Sequence, residues 1–144
     1  MDRTTHLMCP SAEPDGASAT VFGLVLGTPE RPETVYLDEA RPVTAELLAL
    51  AEPVAPTEMF RFAARCIRTA CAHYDTARDS CRFGEKTVRL APVVVHQLPR
   101  CAIRSSCRWW HQEGAAACQR CPQVVRTCVA GSPEVGRAAD PRVV

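Results

Sequence analysis

Residues 101–122 read Cys-Ala-Ile-Arg-Ser-Ser-Cys-Arg-Trp-Trp-His-Gln-Glu-Gly-Ala-Ala-Ala-Cys-Gln-Arg-Cys-Pro, a spacing that is typical of a metal centre. We call its four cysteines the downstream group, which consists of Cys101, Cys107, Cys118 and Cys121. The first two are six residues apart, about 240° around a helix, so a turn must bring them together. Gly114 allows the chain to fold back before the third. The four cysteines can therefore surround one centre.

The end of this stretch favours an iron–sulfur cluster over a zinc ion. A zinc site with four cysteines usually has two pairs, each separated by two to four residues. The downstream group has one such pair, Cys118-x2-Cys121, and Cys101-x5-Cys107 is too wide for the other. A Cys-x2-Cys pair followed by proline is common among iron–sulfur proteins. Pro122 is expected to start a helix with Cys121 just before it. We therefore expect a [4Fe–4S] cluster, with zinc as the alternative.

Arginines stand next to or near these cysteines, and we expect them to surround the cluster. They are Arg100, Arg104, Arg108 and Arg120. A [4Fe–4S]²⁺ core with four thiolates carries a charge of about −2, which cations offset. Arginine N–H groups also raise a cluster's potential. The same arginines can equally be solvated surface residues. Trp109 and Trp110 beside Cys107 are expected to be core aromatics, with shielding of a cluster as the alternative.

A second cysteine-rich segment precedes this one. We call its cysteines the upstream group, which consists of Cys66, Cys71 and Cys81. Ordering a backbone costs about 1–2 kcal/mol per residue, and this segment has few apolar residues, so we expect metal ligation to hold it. The candidates for a fourth ligand are His73, His96, Cys9 and Cys128. The alternatives are an open iron, as in a catalytic centre, and one site shared with the downstream group, which would leave a single cluster rather than two.

Two ordinary explanations for nine cysteines in 144 residues are disfavoured. Structural disulfides are disfavoured because the number is odd and no basic region leads into an apolar core at the N-terminus, so we expect no signal peptide. Inert buried cysteines are disfavoured because many of them stand beside arginines. We therefore expect thiolate ligands in a reducing cytoplasm.

Composition bears on possible partners. The net charge of +1 argues against a dedicated nucleic-acid binder. The longest nearly uninterrupted apolar stretch, Ala19–Leu26, is much shorter than the about 20 residues of a membrane span, so we expect no membrane association. Residues 1–60 hold three arginines and ten acidic residues, whereas residues 61–144 hold fourteen basic and six acidic residues. The chain has no Ser-His-Asp arrangement, phosphate loop or dinucleotide fingerprint.

The pattern along the chain predicts an α+β fold, with a small N-terminal β-hairpin packed on a mainly helical, cysteine-rich metal-binding body. Residues 1–17 and 131–144 are expected to be flexible tails, and residues 18–130 a single iron–sulfur-type domain. The hairpin strands are expected over residues 19–26 and 34–37.

Helices are expected at five places along the rest of the chain. They lie after a cap at Thr44, after a cap at Thr57 with Phe60, Ala63 and Ala64 on one face, over 87–98 with a break or start at Pro92, over 102–113 with a stop at Gly114, and over 122–130.

Parts of the chain resemble a group of small, uncharacterised bacterial cysteine-rich proteins. The resemblance rests on residues 60–64 (Phe-Arg-Phe-Ala-Ala), Cys71, Cys81 and, above all, residues 101–125. It covers most of residues 19–127. It implies an iron–sulfur class of protein and no particular activity.

Three functions agree with these cysteines. The first is a redox module that transfers electrons or senses redox state and works with a redox partner protein. The second is an enzyme with an open iron near the upstream group. The third is a zinc-stabilised adaptor domain. Because the sequence has no substrate-pocket signature, we expect the redox module.

Overall fold

A computed structural model of the chain describes residues 6–28, 30–125 and 132–144. It has an α+β fold, as the sequence predicts, and its main sheet has four antiparallel strands in the order β1-β4-β2-β3. The strands are β1 (Met8–Ala12), β2 (Thr20–Gly27), β3 (Pro32–Pro42) and β4 (Phe60–Arg65). Strands β2 and β3 pair with each other and overlap both predicted hairpin stretches. They form half of a larger sheet rather than a separate hairpin.

Strand β4 lies where the sequence predicts a helix, so that prediction is wrong. Helix α2 (Pro56–Met59) is one turn long and is preceded by Ala55, so Thr57 lies inside it rather than capping it, and the chain then enters β4. Residues 60–64 are all buried because β4 pairs with β1 on one side and β2 on the other. A short run that is buried on both faces has no periodicity that separates a strand from a helix.

Short helices and one two-stranded ribbon form the rest of the described chain. The helices are α1 (Ala45–Ala49), α3 (Arg82–Leu90), α4 (Arg108–Glu113), α5 (Ala115–Cys118) and α6 (Pro133–Ala139), and the ribbon strands are β5 (Tyr74–Asp75) and β6 (Ser80–Cys81). No helix in these ranges is long and apolar enough to cross a membrane. The helices and strands around the cysteines are too short to be stable alone.

The other helix predictions hold in part. Thr44 caps α1, and its side chain accepts a hydrogen bond from the Leu47 N–H at 3.1 Å. Helix α3 begins and ends earlier than predicted, before Pro92, which lacks the N–H that would continue it. The predicted helix over 102–113 is divided into a 3-10 turn, Arg104–Ser106, and α4, which stops at Gly114. The predicted helix over 122–130 lies mostly outside the described residues.

Both predicted tails contain secondary structure. Strand β1 lies within residues 1–17, and α6 lies within residues 131–144 and packs on α3. The buried Lys86 of α3 donates to the carbonyl oxygens of Asp140 and Val143 at 2.7 and 2.5 Å. Because Lys86 contacts backbone carbonyl oxygens, the residue types of the C-terminal segment do not indicate this packing.

The larger apolar cluster ties the sheet to the cysteine-bearing helices. It includes Phe22 of β2, Phe83 of α3 and Trp109 of α4, whereas Val21 faces a second cluster beside α1. The indole of Trp109 contacts the Phe83 ring edge-on, with centroids 4.9 Å apart. It also lies on the backbone of α3, because a Cβ added at Gly84 would be 2.8 Å from Trp109 Cδ1. Only glycine fits at this position.

We expect Gly84→Ala to lower the free energy of unfolding by about 1–3 kcal/mol, because the new methyl group overlaps the indole ring. Gly136→Ala in α6 is the matched control: nothing lies within 4 Å of an added Cβ there, so its better helix propensity should raise stability by up to about 1 kcal/mol. Urea unfolding of the two variants measures both changes. Equal effects would show that Trp109 does not lie against Gly84.

Candidate functional site

The described cysteines, all of them free thiols, line two cavities. The downstream group lines one, which we call the downstream cavity. The upstream group lines the other, the upstream cavity, together with Cys9. Cys128 lies outside the described residues. The two groups therefore line different cavities.

The downstream cavity is formed by the ends of short elements. Cys107 directly precedes α4, Cys118 is the last residue of α5, and Cys121 begins a 3-10 turn, Cys121–Gln123. Gly114, with φ +68°, reverses the chain between α4 and α5, as the sequence predicts. The cavity has a volume of about 20 Å³, which is close to the room one water-sized sphere needs.

The expected helix N-terminus at Cys121 is wrong. Cys121 lies inside a three-residue 3-10 turn rather than in front of an α-helix, because the backbone after Gln123 returns to an extended conformation at Val124. Such a turn is too short to build a dipole. The charge at this cavity therefore has to come from side chains.

Arg61 of β4 supplies that charge. It is 4% exposed, and its Nη2 donates to Cys121 Sγ at 3.3 Å and to the Pro10 carbonyl oxygen at 2.8 Å. Its Nη1 donates to the Cys121 carbonyl oxygen at 2.8 Å and to Thr34 Oγ1 at 3.2 Å. No carboxylate pairs with it in the part of the chain that the structure describes. A buried guanidinium is costly without an anion, and the Cys121 sulfur is the group of this cavity that Arg61 contacts.

Burial changes the acidity of the three remaining downstream thiols. It raises the pKa of Cys107 to about 12 and also raises the pKa values of Cys101 and Cys118, because the interior disfavours a thiolate. The nearby sulfur of Cys121 adds to each rise. A metal cation replaces these protons when it binds, so metal loading here would release protons at neutral pH.

The upstream cavity is larger, about 450 Å³. Cys9 comes from β1, opposite Ala64 of β4, and Cys66 follows β4 directly. Cys71 follows a 3-10 turn, and Cys81 directly precedes α3. Burial raises the pKa of Cys9 to about 12, and the thiols of the upstream group raise it further. The upstream group and Cys9 therefore line one cavity, although Cys9 is far from the others in the sequence.

Arg108 is the buried cation of the upstream cavity. It is 4% exposed and lies 5.5 Å from the centroid of the Tyr74 ring. Its Nε and Nη2 are buried and make no hydrogen bond within the described ranges. Since such N–H groups are rarely left without an acceptor, an anion in this cavity would satisfy them.

The arginines expected from the sequence are divided among different surroundings. Arg104 lies beside Cys118, where it offsets part of the rise in pKa that burial causes, and over the Trp110 ring at 5.5 Å. Arg120 donates to the backbone oxygens of Ala91 and Ala116 instead of to sulfur. Arg108 faces the upstream cavity, and Arg100 is exposed.

Sequence reasoning did not include Arg61. Its position in the sequence is the signal that could have identified it. Arg61 is a charged residue within the apolar run of residues 60–64, and it must be buried if that run forms a central strand of a sheet.

The histidines lie in different surroundings. His73 lines the upstream cavity and lies against Phe83, whereas His96 and His111 are exposed.

In the described residues, the cysteine side chains of neither cavity are positioned to bind one metal ion together. In the described ranges, no three His, Cys, Asp or Glu side chains form a group that could hold a metal ion. Metal binding at either cavity would therefore require the cysteine side chains to rearrange around it. Binding of a metal by the seven predicted cysteines stays a prediction.

No protein-family model, curated protein or solved structure matches the chain.

We expect Arg61→Met to lower the free energy of unfolding by about 1–3 kcal/mol, because buried acceptors on three segments lose their donor. Arg65→Met at the exposed end of the same strand is the matched control and should change it by less than about 0.5 kcal/mol. Denaturant titration of both variants compares them. Equal stability of the two would contradict the structural role of Arg61.

Proposed function

We propose that this chain is a small iron–sulfur protein that works as an electron-transfer or redox-sensing module, with a [4Fe–4S] cluster held by the downstream group. The observation that carries the proposal is the contact between Arg61 Nη2 and Cys121 Sγ. It puts a buried cation, without a carboxylate partner in the described residues, on one of four cysteines that line the same cavity.

The charges support this choice of centre. Four thiolates around a [4Fe–4S]²⁺ core leave a charge of about −2. Arg61 and Arg104 both lie beside downstream sulfurs, so the protein provides two cations for it. Such donors stabilise the reduced form of a cluster and raise its potential. When bound, the cluster supplies reversible one-electron transfer, and the surrounding side chains set its potential.

The small downstream cavity determines how a cluster could enter. At about 20 Å³ it is smaller than a four-iron core. Cys101 and Cys118 are half-exposed and stand on a loop and at the end of a one-turn helix. These two side chains can move outward, whereas Cys107 is buried beside Trp109. We infer that loading opens the cavity on the side of Cys101 and Cys118.

The same small volume favours a second candidate, a zinc-stabilised adaptor. A zinc ion needs only four sulfurs at about 2.3 Å. Such an ion would cross-link the loops without redox chemistry. The two candidates differ in metal content and colour, and both rest on the downstream group.

A redox module also requires a partner protein and a suitable cellular compartment. A cluster without a substrate site passes electrons to a partner protein, so we propose a redox partner. All described cysteines are free, and thiol ligands persist in a reducing compartment. We therefore propose a cytoplasmic location.

The first test is metal analysis of protein purified without oxygen. We expect a brown protein with broad visible absorbance that bleaches on reduction, with iron and acid-labile sulfide in equal amounts. Cys107→Ser should lose about four irons, because it removes the buried ligand. Ser106→Ala, at the neighbouring residue, is the matched control and should keep them. A colourless protein with one zinc per chain would support the adaptor and exclude the redox module.

A further inference from the structure

We infer that Cys9 completes a second site, in which Cys9, Cys66, Cys71 and Cys81 hold a second [4Fe–4S] cluster with every iron bound by cysteine. The inference rests on the proposed iron–sulfur function and extends it to the upstream cavity. It leaves no open iron there, so the enzyme alternative loses its reactive position.

The pairing of β1 with β4 puts Cys9 at this cavity. Met8 lies opposite Arg65, Cys9 lies opposite Ala64, and the Cys66 N–H donates to the Leu7 carbonyl oxygen at 3.0 Å. Two adjacent, hydrogen-bonded segments therefore carry the first two cysteines. Strand alternation turns Cys9 and its neighbour to opposite sides: Cys9 lines the upstream cavity and Pro10 lines the downstream one.

The other two cysteines stand on segments that follow β4 in the chain. Cys71 ends a 3-10 turn, and the His73 carbonyl oxygen accepts from the Arg82 N–H at 2.8 Å, which closes the β5–β6 ribbon onto the start of α3. Cys81 ends β6 at that point, where Gln112 of α4 binds both its N–H and its carbonyl oxygen, at 2.7 and 2.8 Å. The four cysteines thus stand on anchored backbone.

The volume of the upstream cavity suits a multi-atom ligand. About 450 Å³ falls within the range of ordinary ligand pockets, about 300–1,000 Å³. Two carboxylates line it as well, Glu13 and Asp15, and both residues are exposed. The four cysteines are partly buried, and Arg108 is buried.

Arg108 is the independent sign of an anion. Its guanidinium is nine-tenths or more buried, lines the cavity, and has two N–H-bearing nitrogens without an acceptor in the described part of the chain. A cluster with four thiolates is an anion whose sulfurs accept hydrogen bonds. Arg108 would serve the upstream cluster as Arg61 serves the downstream one.

The other candidates for the fourth ligand fit less well. His96 is exposed and lines neither cavity. His73 lines the upstream cavity, but its ring lies against Phe83 with centroids 4.9 Å apart. Cys128 lies outside the described residues and is tested directly below.

The two sites are in contact through α4. Cys107 lines the downstream cavity, Arg108 the upstream cavity, and Trp109 both. One indole therefore separates the two cavities at this point.

Iron counting after anaerobic reconstitution with ferrous iron and sulfide tests the inference. We expect about eight irons per chain in the wild type and about four in Cys9→Ser. His73→Gln and Cys128→Ser should keep about eight. Full iron in Cys9→Ser, or a loss in either control variant, would overturn the inference.

The two proposals fail in different ways. A wild type that binds no iron overturns the iron–sulfur function itself. About four irons that Cys107→Ser removes and Cys9→Ser keeps would leave that function in place and overturn the second site alone.

Maleimide labelling of the metal-loaded wild type covers the case in which Cys9→Ser does not fold. We expect Cys9 and the upstream group to be protected, and to react after chelation of the iron. Free reactivity of Cys9 while Cys66, Cys71 and Cys81 are protected would show that the fourth ligand is another group.

Discussion

The buried guanidinium of Arg61 joins the sheet to the cysteine-bearing loop. One side chain on β4 donates to Thr34 of β3, to the carbonyl of Pro10 in β1 and to Cys121. Thr34 continues the connection, because its hydroxyl donates to the Pro122 carbonyl oxygen at 3.0 Å. Three strands and the last loop of the downstream group therefore depend on one cation. Its burial is justified energetically if an anion faces it.

Alternation along short segments gives each cavity its own cysteines. Along β1, Cys9 faces one cavity and Pro10 the other, and at the start of α4 the same change occurs between Cys107 and Arg108. A parallel bridge between Met8 and Cys107 holds these two segments together. Consecutive residues of two paired segments thus face the two cavities.

The sequence predicts that the four downstream cysteines come together, because their spacing is a local property. A wide Cys-x5-Cys, a reversal at Gly114 and a close Cys-x2-Cys leave few ways to place four cysteines, and the structure puts all four at one cavity. Cys9 is different, because its place depends on pairing between β1 and β4, more than fifty residues away in the chain. Because a helix was predicted over residues 60–64, neither that pairing nor the burial of Arg61 was expected. The long-range order of the strands is therefore the feature that could not be predicted from the sequence.

The central claim is that both cavities hold iron, and anomalous diffraction at the iron absorption edge tests it most directly. Crystals of anaerobically purified protein should give one compact anomalous peak between Cys101, Cys107, Cys118 and Cys121 and a second between Cys9, Cys66, Cys71 and Cys81. The peaks should weaken below the iron edge. Peaks that appear only at the zinc edge, or no anomalous density in either cavity, would contradict the account.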